Sequence, residues 1–85
     1  MAKVRVLGND WCPYCVKIKN FLQTNKVPYD WIDTETYEGK QERSKVSAKE
    51  KYNTIPMVYV DDKFIGGCNE FFAALNKKKI NLGNL

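Results

Sequence analysis

The chain has 85 residues, 44% of them hydrophobic and 28% charged, with a formal net charge of +4 and no histidine. That length bounds it to one domain, residues 1–85, with a small core, and that apolar content excludes a disordered chain. No apolar run approaches the ~20 residues of a membrane-spanning helix, and Met1–Leu7 has neither the apolar length nor the cleavage pattern of a secretory leader.

In chain order, Lys3 to Leu7 alternates polar and apolar residues and is rich in valine, which predicts a strand. Gly8-Asn9-Asp10 reads as a loop. From Pro13 to about Asn25, Val16, Ile18, Phe21 and Leu22 recur with helical spacing on one face. Val27-Pro28 ends that helix, and Tyr29 to Asp33 predicts a second strand, parallel to the first across a βαβ crossover. Thr34 to Tyr52 is polar, with a surface helix predicted over Gly39–Lys51. Met57–Val60 and Lys63–Ile65 form a hairpin about Asp61-Asp62, Gly66-Gly67 breaks the sheet, and Asn69 to about Lys79 predicts a last helix burying Phe71, Phe72 and Leu75. The order is β-α-β-α-β-β-α, an α/β fold with a four-stranded mixed sheet flanked by three helices.

Within that order, Cys12-Pro13-Tyr14-Cys15 falls at the first strand–helix junction. Two cysteines two residues apart, in a chain without a secretory signal, read as a redox pair. Exchange needs one thiolate to attack a foreign disulfide and a second thiol near enough to release the mixed disulfide. Pro13 is suited to the first helical position, which places Cys12 at a helix N-terminus. There the helix dipole favours the thiolate and lowers the pKa below the ~8.5 of free cysteine, and the Cys15 amide is placed to donate to the sulfur. A zinc site is set aside, because zinc usually takes four ligands and only Cys68 remains. The odd cysteine count argues against a secreted disulfide framework, so a reducing cytoplasmic setting is expected. Lysines are scattered without a nucleic-acid motif, so the positive charge points to anionic partners such as acidic peptides or glutathione. No nucleic-acid or membrane partner is expected.

Three blocks, Cys12-Pro13-Tyr14-Cys15, Thr54-Ile55-Pro56 and Gly66-Gly67-Cys68-Asn69-Glu70, stand in this order and spacing. On them the chain resembles a dithiol glutaredoxin of the thioredoxin-like superfamily over essentially its whole length. The resemblance implies Cys12 as nucleophile and Cys15 as resolving thiol. It implies a glutathione site made by Tyr14 beside the sulfur, by Thr54, Ile55 and a cis Pro56, by Gly67 and the amides of Cys68 and Asn69, and by Glu70 facing the γ-glutamyl ammonium. Glu70 also fits a first-turn acid that favours the helix dipole, and Cys68 fits either a structural thiol or an oxidation site. Many relatives carry Lys or Arg three residues before the first cysteine. Here Asn9 supplies a hydrogen bond but no charge, and Lys17 or Arg43 would replace the cation. Trp11 is less typical of the family and is similar to the residue before the thioredoxin active-site cysteine.

The implied activity is glutathione-dependent reduction of protein disulfides and glutathione mixed disulfides. Glutathione is then the reducing co-substrate, with no tightly bound cofactor and no metal. The implied partners are disulfide-containing or glutathionylated proteins, ribonucleotide reductase among the candidates, met by a monomer. Two alternatives stand beside it: a redoxin reduced by thioredoxin reductase, and a glutathione-ligated iron–sulfur cluster carrier, which Pro13 disfavours. Lys77-Lys78-Lys79 is read as a solvated helix end, with a docking patch for acidic partners as the sharper alternative.

Overall fold

The computed structural model describes residues 3–80 and 82. Its elements are β1 (Val4–Gly8), α1 (Pro13–Thr24), β2 (Tyr29–Asp33), α2 (Tyr37–Glu50), β3 (Met57–Val60), β4 (Lys63–Gly66) and α3 (Cys68–Asn76). One mixed sheet has the order β2-β1-β3-β4. β1 runs parallel to β2 with Val4 opposite Tyr29, and antiparallel to β3 with Val4 opposite Val60. The valine-rich β1 and β3 are thus the central strands. Among the described residues no helix is long and apolar enough to cross a membrane.

Strand alternation splits the core in two. Val4, Val6, Val58 and Val60 face α1 and α3, where they meet Ile18, Leu22 and Phe71. Leu7, Met57 and Tyr59 face the other way and meet Val46 of α2. Phe71 is fully buried, whereas Phe72 and Leu75 are half-buried against the first cluster.

The boundaries of β2 and β3 agree with the sequence reading. α2 begins two residues before the expected Gly39, because the Thr36 hydroxyl caps it by accepting the Gly39 N–H at 3.0 Å. α3 starts one residue early, at Cys68, and stops at Asn76 rather than near Lys79. Asp61 and Asp62 both have positive φ, 52° and 66°, as a two-residue hairpin of right-handed twist requires. β4 runs on to Gly66, whose φ of 125° is open only to glycine among ordinary residues.

All three helices end in a left-handed lysine: Lys26, Lys51 and Lys78 each have a φ of 55°. At α3 the Lys78 N–H donates to the Leu75 carbonyl at 3.1 Å and the Lys79 N–H to the Ala74 carbonyl at 2.9 Å. This paired closure satisfies carbonyls that the last helical turn leaves open.

Candidate functional site

The site begins where β1 delivers the chain to α1. Cys12 is the N-cap of α1, Pro13 follows it, and the Cys12 carbonyl accepts the Val16 N–H at 3.0 Å. Cys12 makes no side-chain capping hydrogen bond, contrary to the expectation that its sulfur takes the Cys15 amide. Its sulfur instead lies within electrostatic reach of the Cys15 thiol. The two thiols are inequivalent: Cys12 keeps 9% exposure and Cys15 none. Burial, together with the Cys12 sulfur beside it, pushes the Cys15 thiol up to about 12, against the opposing pull of the Asn9 backbone N–H. Cys15 is therefore neutral at pH 7, and Cys12 is the more exposed of the two thiols.

Gly8 makes this packing possible. A Cβ built there lies 2.7 Å from the Cys15 sulfur and 3.1 Å from the Cys15 Cβ. The sulfur is buried and has nowhere to retreat. Gly8→Ala is expected to destabilise the fold by about 1–3 kcal/mol and to slow the Cys15-dependent step more than the Cys12-dependent one. Denaturant unfolding and assays on protein disulfides and glutathione mixed disulfides check both parts. Equal loss on the two substrates would contradict the second.

A groove of about 370 Å³ gathers most of the residues singled out from the sequence. Tyr14 of α1, which is 58% exposed, forms one wall. Thr54, Ile55 and Pro56, on the connection from α2 to β3, form another, and the Ile55–Pro56 peptide is cis. Gly67, Cys68, Asn69 and Glu70 bring the start of α3 to the third, where first-turn amides lack helical partners. Burial raises the pKa of Cys68, while Lys17 acts to lower it and Glu70 and Cys12 to raise it, so Cys68 lies within electrostatic reach of Cys12.

Four residues stand elsewhere. Arg43 does not line the groove; its guanidinium donates to the Asn53 carbonyl at 3.1 Å, bracing the segment ahead of Thr54. Lys17 lies over the Phe72 ring at 5.4 Å. Asn9 is only 2% exposed, and its Nδ2 donates inward to Thr34 Oγ1 at 3.4 Å, so its side chain is turned into the protein. The reason is local: Thr34 ties its own N–H to the Gly8 carbonyl at 2.9 Å, drawing the β2–α2 loop over Asn9. Trp11 is 70% exposed and donates to Glu35 Oε1 at 2.9 Å.

Tyr52 is the groove residue that the sequence did not reveal. Its hydroxyl donates to Glu70 Oε1 at 3.0 Å, and the same oxygen accepts the Gly67 N–H at 2.8 Å. Chiefly the Gly67 N–H, with help from Tyr52, holds the Glu70 carboxyl below its ordinary value of 4.5 against the opposing effect of burial. A depressed carboxylate stabilises the fold above its unfolded pKa, and that contribution is lost as pH falls through the lower folded value. In Tyr52→Phe the Glu70 pKa is expected to rise toward 4.5, as followed by NMR titration of the side-chain carboxyl. An unmoved titration would leave Gly67 as the sole anchor. Among the described residues no group of three or more His, Cys, Asp or Glu is arranged to hold a metal ion.

A dithiol of unequal depth, at a strand–helix junction beside a groove, defines the class as a thioredoxin-fold redox protein. The family profile for glutaredoxin matches residues 3–65, and the chain belongs to the glutaredoxin family. It is similar to glutaredoxin from Pseudomonas aeruginosa, with 29% identity over 82 residues covering 95% of this chain and 94% of that protein. It also matches glutaredoxin 1 of Rickettsia typhi, with 30% identity over 61 residues covering 72% of this chain and 59% of that protein. A crystal structure of glutaredoxin 1 from Francisella tularensis, complexed with cacodylate, superposes with a TM-score of 0.74 at 26% identity, covering 93% of this chain and 98% of that one. Family and fold make the chain a thiol–disulfide oxidoreductase.

Proposed function

We propose that this protein reduces protein disulfides and glutathione mixed disulfides at the expense of glutathione. The observation that carries this reading is the partly exposed Cys12 over a fully buried Cys15, with a peptide-sized groove beside them. Cys12 thiolate attacks one sulfur of the substrate disulfide. A new S–S bond forms to Cys12, the old one breaks, and the departing thiolate takes up a proton. Once Cys12 is in the mixed disulfide its sulfur carries no charge, which removes two of the influences that raise the Cys15 pKa. Burial still opposes ionisation, and the Asn9 N–H still favours it. Cys15 then gives up its proton and attacks Cys12, expelling the second substrate thiol and leaving a Cys12–Cys15 disulfide. Two glutathione thiols return the pair to the dithiol and become glutathione disulfide.

In the groove, the free amides at the start of α3 suit a carboxylate. Glu70 Oε1 is committed to Gly67 and Tyr52, which leaves Oε2 as the oxygen that would accept from a ligand ammonium. Cys15→Ser is expected to keep turnover of a glutathione mixed disulfide and to lose that of a protein disulfide. Loss of both would overturn the assignment of roles.

One observation favours a second reading, a redoxin served by thioredoxin reductase: among the described residues lining the groove, none is Lys or Arg. The test is NADPH-coupled reduction of a glutathione mixed disulfide, once with glutathione and glutathione reductase and once with thioredoxin reductase alone. Turnover in the first arm is expected. Turnover confined to the second would replace the glutathione reading.

A further inference from the structure

A second groove, of about 290 Å³, opens between β4 and the end of α3. Phe64, Ile65 and Ile80 are among the apolar residues along it, and Lys63, Lys77 and Lys79 line it. The closure of α3 divides the lysine run. With Lys78 left-handed, Lys77 and Lys79 line the groove while Lys78 does not. Among the described residues no ion pair engages Lys63, Lys77 or Lys79. The one acid lining the groove is Glu70, whose Oε1 is already held by Gly67 and Tyr52. Asp61 and Asp62, next to Lys63 in the chain, lie outside it. β4 is an edge of the sheet, paired among the described residues only with β3. An unpaired strand edge offers backbone groups to an extended chain.

Glu70 lines both this groove and the one beside the dithiol. We infer that the β4–α3 groove docks an extended acidic segment with apolar side chains, belonging to the protein whose disulfide is presented to Cys12. The three lysines select the acidic residues, and the apolar residues take the side chains between them. This rests on the proposed reduction of protein disulfides, and its test separates the two.

The probe is a fluorescent synthetic peptide with alternating acidic and leucine residues beside one glutathionylated cysteine. Matched peptides carry glutamine, or lysine, in place of the acids. Binding is read by anisotropy on the Cys12→Ser protein, which needs no turnover, and kcat/KM is read on the wild-type background. The acidic peptide is expected to bind about tenfold more tightly than the glutamine peptide, with the margin shrinking as salt rises. Lys77→Glu/Lys79→Glu is expected to abolish the margin, whereas Lys78→Glu, outside the groove, retains most of it. Turnover of a small uncharged disulfide stays unchanged in both variants. Equal weakening by Lys78→Glu, no preference in the parent, or equal competition by short single-stranded DNA would overturn the inference, since each reduces the groove to unspecific positive charge. Selective binding without turnover of any disulfide would instead sink the proposed reaction and leave the docking surface standing.

Discussion

Cys12→Ser is expected to lose turnover on every disulfide substrate, by at least about a thousandfold. A serine hydroxyl does not ionise near neutral pH, so the attacking anion is gone. Neither remaining thiol replaces it. Cys15 has no exposed surface and a pKa of about 12, and burial raises the pKa of Cys68. On the proposed mechanism the two residues of the pair differ in kind: loss of Cys15 is expected to remove one route, and loss of Cys12 both. The substitution changes one atom at a position of 9% exposure, so the fold is expected to survive, as circular dichroism and an unchanged urea midpoint would show. Residual turnover above about one hundredth of wild type would mean that a buried thiol reaches substrate, and the order of attack, Cys12 before Cys15, would fall.

Phe71→Ala is expected to cost about 3–5 kcal/mol. Phe71 is fully buried on the inner face of α3 and meets Phe21 of α1 edge-on at 6.0 Å and Phe72 at 5.3 Å between ring centroids. The helices converge there over Val6 and Val58 in the same cluster. A chain this size has a total stability of roughly 4–13 kcal/mol, so the loss is a large share of it. The thermal midpoint should fall by more than about 12 °C. The urea midpoint should fall with the slope unchanged. Phe72→Ala, at a half-buried position, should cost clearly less. Equal costs would mean that the α1–α3 contact relaxes around the cavity. Because the start of α3 forms a wall of the groove, Phe71→Ala should also weaken substrate binding at temperatures where the protein remains folded.

The parts of the fold legible in the sequence are those set by local pattern. The alternation of Val4 and Val6, the apolar run Met57–Val60 and the turn Asp61-Asp62 each carry their own signal. Cys12 and Cys15 are legible because their spacing within one turn is itself the chemistry. The start of α2 is harder to place because that polar stretch carries almost no apolar periodicity and Thr36, a capping residue, decides it. Tyr52 carries no sequence signal: its role comes from Glu70, eighteen residues away, and only the packed connection ahead of β3 brings them together. Asn9 illustrates the reverse case. The family resemblance puts it where relatives carry a cation, but here the β2–α2 loop encloses it. Arg43 likewise has the charge for a ligand contact, and the structure gives it to the Asn53 carbonyl.

The left-handed lysines that close the helices imply an unused reserve of thermal tolerance. A side chain in that conformation costs about 1–2 kcal/mol, and glycine there returns about 0.5–1 kcal/mol of that to unfolded-chain entropy. Lys26 and Lys51 line neither groove. Glycine at both positions should therefore raise the melting point by several degrees while leaving the thiol chemistry untouched. The chain thus has room to absorb costly substitutions nearer its cysteines, where new substrate preferences would have to be built.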